Sequence, residues 1–159
     1  MENKIYNTKS EIGLRCLFIL KVLYPKFCSV DRLLYIDYLS LYIEDLLEDA
    51  INLHPKYPLR SIEAFERRQL LKQSIVELAF KGLISVENDN GLYYVGNSST
   101  LWFVDSIKND YSKHLLKNIE LVTEKFKSKS DEEIKKIIVA NAIKQENEFA
   151  NFYPYIEEV

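Results

Sequence analysis

The stretch LAFKGLISVENDNGLYYVG, from Leu78 to Gly96, constrains this chain more than any other. A helical pattern ends at Gly82, a residue suited to the left-handed position just past a helix. Ile84 and Val86 then alternate with Ser85 and Glu87, the period of a half-buried strand. Asn90-Gly91 supplies the positive φ that a tight hairpin turn requires. Leu92, Tyr93, Tyr94 and Val95 form the return strand. With only 4 Gly and 4 Pro in 159 residues, the chain has little room for long loops.

A helix that runs into a β-hairpin is how the third helix of a winged-helix domain passes into its wing. The sequence ahead of it supplies two helices. Thr8 and Glu11 have capping-box spacing, and Ile12 to Tyr24 carries only Arg15 and Lys21 as charges, which suits a central helix ended by Pro25. A second helix is predicted from Ser29 or Val30 through Ala50. The loop INLHPKYPLRS bars a regular helix, because Pro55 and Pro58 remove donors and restrict their neighbours. Ser61 can cap a third helix running to about Lys81, with Leu71, Ile75, Leu78 and Ala79 as its core face. After the hairpin come a short helix around LWFVDSIKN, a helix from Asp110 to Phe126, and one from Asp131 to about Ala150 opened by Ser130 and Glu133. The expected fold is mainly α (α+β): a winged-helix domain with a two-stranded β-wing, followed by C-terminal helices. Residues 1–99 read as the winged-helix-like core, 100–150 as a helical extension packed on it, and 151–159 as an aromatic tail.

The chain offers no motif for chemistry. His54 and His114 have no catalytic company in sequence. Cys16 and Cys28 lack the paired spacing of zinc ligands, and Cys16 sits in an apolar run as a small core residue. No Gly-rich phosphate loop, nucleophile elbow or H-E-x-x-H occurs. The expectation is no catalytic residue, no cofactor, no metal and no small-molecule substrate. The polar start MENKIYNTKSE lacks a signal peptide's apolar stretch, and no run approaches a membrane span, so a cytoplasmic location without membrane contact is expected.

Charge decides what a winged helix would touch. The net charge is -3 and the sequence pI about 5.5, so only a local basic face could serve DNA. The outer face of the third helix carries Glu66, Gln69, Gln73, Glu77 and Lys81. The wing carries Glu87 and Asp89, with no Lys or Arg at its tip. A basic cluster, Lys56, Arg60, Arg67, Arg68 and Lys72, could hold phosphate or meet an acidic protein surface. These residues favour protein contact over direct DNA reading, with Arg60, Arg67 and Arg68 as candidate partner-binding residues. A winged-helix DNA-binding transcription regulator is the alternative. The final helix reads IKKIIVANAI with apolar residues pointing in more than one direction. Phe149, Phe152, Tyr153 and Tyr155 follow, an aromatic group expected to dock on a partner or on a second copy.

The ordered blocks SEIGLRCLFILKVLYPK, SVDRLLYIDYLSLY, NLHPKYPLRS and ERRQLLKQSIVELAFKGLI resemble the middle component of ABC-three-component systems, bacterial operons related to Lamassu-type antiphage defence. The resemblance covers roughly Ser10 to Tyr111. It implies a small non-enzymatic adaptor, similar in role to the kleisin or winged-helix accessory proteins of SMC complexes. Its implied partners are an SMC-like coiled-coil ATPase and an effector subunit, often a nuclease, with DNA met only indirectly through the complex.

Overall fold

The computed structural model describes residues 7–152. Helix α1 spans Lys9–Leu23, and the Thr8 hydroxyl accepts from the Glu11 amide at 3.3 Å. Ile12, Cys16, Ile19 and Leu20 are completely buried, with Leu17 and Phe18 almost so. This helix is enclosed on several sides, as its nearly charge-free sequence demands.

Helix α2 spans Val30–Leu41, with Ser29 as its cap. The sequence predicts it to continue to Ala50. Instead it stops, and a single 3-10 turn follows at Ile43–Asp45. The reason is tertiary. The Leu53 and His54 amides both donate to the Leu41 carbonyl, at 3.0 and 3.2 Å. That carbonyl is the one a continued helix would offer to residue 45. Asn52 adds a second stop by accepting from the Glu44 amide at 2.9 Å.

The predicted third helix is two helices. α3 spans Arg60–Glu66 and α4 spans Arg68–Phe80, with Arg67 between them. No proline or glycine forces the break. α3 packs on α2 and the last helix, whereas α4 packs on α1, α2 and the hairpin, and a straight rod would not meet both sets. Ser61 is not the cap. Leu59 holds that position with φ 62°, and Ser61 lies inside the helix, fully buried. The core face of α4 is as read, with Leu71 and Ile75 buried and Leu78 and Ala79 packed beside them.

Gly82 follows α4 with φ 74°, and the Leu83 amide reaches back to the Leu78 carbonyl at 3.0 Å. Strand β1 (Ile84–Asn88) pairs antiparallel with β2 (Leu92–Gly96), with Val86 opposite Tyr94. Asn90 and Gly91 take φ 54° and 146° in the turn. β2 lies over α1 and β1 over α4. The layout is winged-helix-like, and the described residues are mainly helical with this hairpin.

Helix α5 (Ser98–Asp105) begins with a capping box between Asn97 and Thr100. Helix α6 (Asp110–Phe126) begins with another between Asn109 and Ser112. Its Leu115, Ile119, Val122 and Phe126 are buried at i, i+4, i+7 and i+11, one helical stripe. That stripe packs between α1 and α2. Helix α7 spans Asp131–Phe152 and buries Ile134, Ile138 and Gln145. Among the described residues, no helix is long and apolar enough to cross a membrane.

Candidate functional site

The end of α2, the proline loop, α3 and α7 meet at a buried polar junction. Asp45 is its centre. The Arg60 Nε donates to Asp45 Oδ2 at 2.8 Å, and a second guanidinium nitrogen pairs with Oδ1. The Tyr38 hydroxyl donates to Asp45 Oδ2. Gln145 of α7 donates to the Tyr38 oxygen at 3.2 Å and to Asp45 Oδ2 at 3.3 Å, and its carbonyl accepts from the Ser61 amide at 3.1 Å. Arg60 also donates to the Tyr57 carbonyl at 3.0 Å, so one side chain fixes the proline loop as well. Burial opposes the charge on Arg60 more than any single partner favours it, but the Asp45 hydrogen bond and the surrounding negative charge, Asp45 first, together outweigh it and raise the pKa. Burial, then the carboxylate it faces, raises that of Tyr38.

Above this junction opens a cavity of about 790 Å³, lined by Glu44, Glu48, Lys56, Lys144, Glu148 and Phe149 among others. Charges of both signs surround it, so it has no single electrostatic preference. Its place beside Phe149 puts it where α7 runs towards the C-terminal tail.

The basic cluster of the sequence is not one surface. Lys56 pairs with Glu44 at 3.2 Å, Arg60 with Asp45, and Arg68 with Asp31 at 2.7 Å. Lys72 is exposed. Arg67, at the joint between α3 and α4, is half-buried. Its Nε and Nη2 are buried without a hydrogen-bond partner among the described residues. Of the aromatic candidates, Phe149 is half-buried at the cavity. Phe152 ends α7, while its side chain, together with Tyr153 and Tyr155, lies outside the described residues.

The face that would read DNA is exposed: Glu66, Gln69, Gln73, Glu77 and Lys81 are all exposed, with Glu77 paired to Lys9. Between these polar groups stand Val76 and Phe80, the latter 88% exposed. Trp102 on α5 is 74% exposed. Its helix is tied to the α4–β1 junction, because Asn97 donates to the Gly82 carbonyl at 3.2 Å and Thr100 to that of Leu83.

The sequence places Tyr38 on a face of the second helix and Asp45 in its acidic end, which is expected to fray or to face a basic partner, but does not bring them together with Gln145. Gln145 had a signal: it continues the Ile134, Ile138, Asn141 stripe and must enter the core with it. His54 is buried, with Nε2 at 2.9 Å from the Tyr111 hydroxyl. Burial, helped by the nearby Arg15 charge, lowers its pKa to about 4. Burial raises the pKa of both thiols, Cys16 and Cys28. Among the described residues, no group of three or more His, Cys, Asp or Glu is placed to hold a metal ion.

Comparison with known proteins gives one family. No curated protein and no solved structure matches the chain. The model of the ABC-three component (ABC-3C) system Middle Component 2 family matches residues 5–148, nearly the whole length, and the chain belongs to that family.

Proposed function

We propose that this middle component is a non-enzymatic adaptor of a bacterial antiphage and anti-plasmid defence complex. It links an SMC-like coiled-coil ATPase to an effector subunit, a nuclease in this reading. DNA is sensed by the complex and not by this chain. The observation that carries the reading is the fate of the basic cluster. A DNA-binding face keeps its cations available to phosphate, whereas Lys56, Arg60 and Arg68 are each matched to a carboxylate of the same chain. The exposed face beside them mixes Glu66 and Glu77 with Lys72 and Lys81 and carries the exposed apolar Val76 and Phe80; exposed large apolar and aromatic side chains suit protein contact.

Within this reading, Arg60 orders the HPKYP loop, and Arg67 and Arg68 meet a partner. Nε and Nη2 of Arg67 are buried and unpartnered among the described residues, so this contact requires the side chain to turn outward, after which the guanidinium can give a carboxylate two parallel bonds. The tail beyond Ala150, with Tyr153 and Tyr155, docks on a partner subunit. Co-expression with the other two components of the system, followed by purification through this chain, tests the adaptor role. Both should co-purify. A chain that emerges alone overturns it. Reversing Arg68 and neutralising Arg67 (Arg68→Glu with Arg67→Gln) should weaken assembly in a protein that still folds. Unchanged assembly removes these two residues from the contact.

A further inference from the structure

The hairpin has one closed edge and one open edge. β2 is covered on its outer side by Cys28, whose amide donates to the Tyr94 carbonyl at 2.8 Å and whose carbonyl accepts from the Tyr94 amide at 2.8 Å. Tyr94 has thereby committed both backbone groups away from β1. In an antiparallel ladder, bonded and non-bonded pairs alternate. Val86, opposite Tyr94, is therefore in a non-bonded pair, and its N–H and C=O point outward from β1. Ile84 and Asn88 share that direction by the same alternation. Ser85 and Glu87 are the residues that bond to β2.

Open edges on soluble proteins are blunted by charged side chains, lysine above all, by proline or by a bulge. β1 reads Ile-Ser-Val-Glu-Asn and pairs with β2 in unbroken register, so it has no lysine, proline or bulge, and its one charge is Glu87. The side chains agree with the backbone. Val86 lies on the same face as buried Ile84 and Tyr94 but is 43% exposed. β2 lies over α1 and β1 over α4, so a further strand would fall over the exposed flank of α4, which carries Val76 and Phe80. The hairpin contributes Glu87 and Asp89 and no cation. Neither carboxylate has an ion-pair partner among the described residues.

We propose that β1 receives an extended segment of a partner subunit as a third strand. The segment alternates apolar side chains, which cover Val86, Val76 and Phe80, with lysine or arginine facing Glu87 and Asp89. This rests on the adaptor reading and deepens it. Main-chain bonds supply affinity in such strand addition, and the alternating side chains supply specificity.

Hydrogen exchange of the Val86 amide tests the proposal, compared between the chain alone and the assembled three-component complex. The Ser85 and Glu87 amides, already bonded to β2, serve as internal references. At least tenfold slower exchange at Val86 on assembly is expected. Assembly without slowing at Val86 overturns the strand and leaves the adaptor role standing. Failure to assemble overturns both. Slowing that depends on the concentration of the chain alone assigns the edge to a second copy, and slowing by a short DNA duplex alone assigns it to nucleic acid. Either result overturns the proposal. Val86→Pro removes only an outward N–H and is tolerated at an edge, so it should cut recovery of the complex tenfold at near-native thermal stability. Should that variant misfold, Val86→Lys places a charge in the same contact with the hairpin ladder intact, and unchanged recovery overturns the proposal.

Discussion

Arg15 and Asp37 form an ion pair that solvent does not reach. The Arg15 Nε lies 2.5 Å from Asp37 Oδ1 and Nη2 lies 3.1 Å from Oδ2, and the two side chains are 3% and 1% exposed. The pair joins α1 to α2 at the middle of the core. Removing one partner leaves a buried charge uncompensated, which costs about 3–5 kcal/mol. Asp37→Asn should lower the melting temperature by roughly 10 °C, at ~2–4 °C per kcal/mol for a chain of this size. Arg15→Met combined with Asp37→Leu should recover most of that loss. A double variant as unstable as the single one would mean that the pair contributes more than its mutual compensation.

His54 gives the fold a pH dependence with a definite sign. Its folded pKa, about 4, lies below the ordinary value of 6.5. The unfolded chain therefore takes up a proton as pH falls through 6.5, while the folded chain resists until about 4. The contribution is full well above pH 6.5 and declines as pH falls from there to 4, by on the order of 3 kcal/mol. Urea midpoints at pH 7.5 and pH 5 should converge in His54→Gln relative to the native chain. Parallel losses in both proteins would assign the slope to carboxylates instead.

The isolated protein should bind duplex DNA weakly at most, because Glu66, Glu77, Glu87 and Asp89 stand on the face that would approach phosphates. Titration of a labelled duplex at physiological salt checks this. Sequence-specific binding at nanomolar protein, typical of regulators, would restore the transcription-regulator reading.

Deleting residues 151–159 should abolish or weaken co-purification with the partner subunits while leaving the melting temperature nearly unchanged. If the melting temperature falls by several degrees and assembly survives, the tail belongs to the core of this chain.

Arg60→Lys should loosen two distant segments together. Lysine keeps the charge but cannot make the paired contact to Asp45 while also reaching the Tyr57 carbonyl. Limited proteolysis should speed up in both the proline loop and the C-terminal half of α7. Cutting confined to the loop would uncouple α7 from the junction.

What could be read from the sequence was local chemistry. Thr8, Ser29, Ser130 and Asn90-Gly91 act within a few residues of themselves, and each starts a helix or closes the turn where its spacing says. The misread places are those where a distant residue decides. α2 ends because Leu53 and His54 return to the Leu41 carbonyl. α3 and α4 separate at Arg67 because they serve different neighbours. The candidate site divides in the same way. That Glu66, Gln69, Gln73, Glu77 and Lys81 share an exposed face was visible in their spacing, because exposure follows the helical period. The internal pairing of Arg60 was not, because Asp45 sits fifteen residues upstream on an element whose end the sequence misplaces. Nor was the open edge of β1, which depends on a reciprocal bond between Cys28 and a tyrosine beyond the turn.

The placement of α6 between α1 and α2 bears on synthesis. Leu115, Ile119, Val122 and Phe126 fill the space beside the two N-terminal helices, each contributing about 1.5–3 kcal/mol when buried. A nascent chain that has emerged only as far as the hairpin holds α1 and α2 with that groove still wet. Its apolar walls stay available to chaperones until Asp110–Phe126 has emerged.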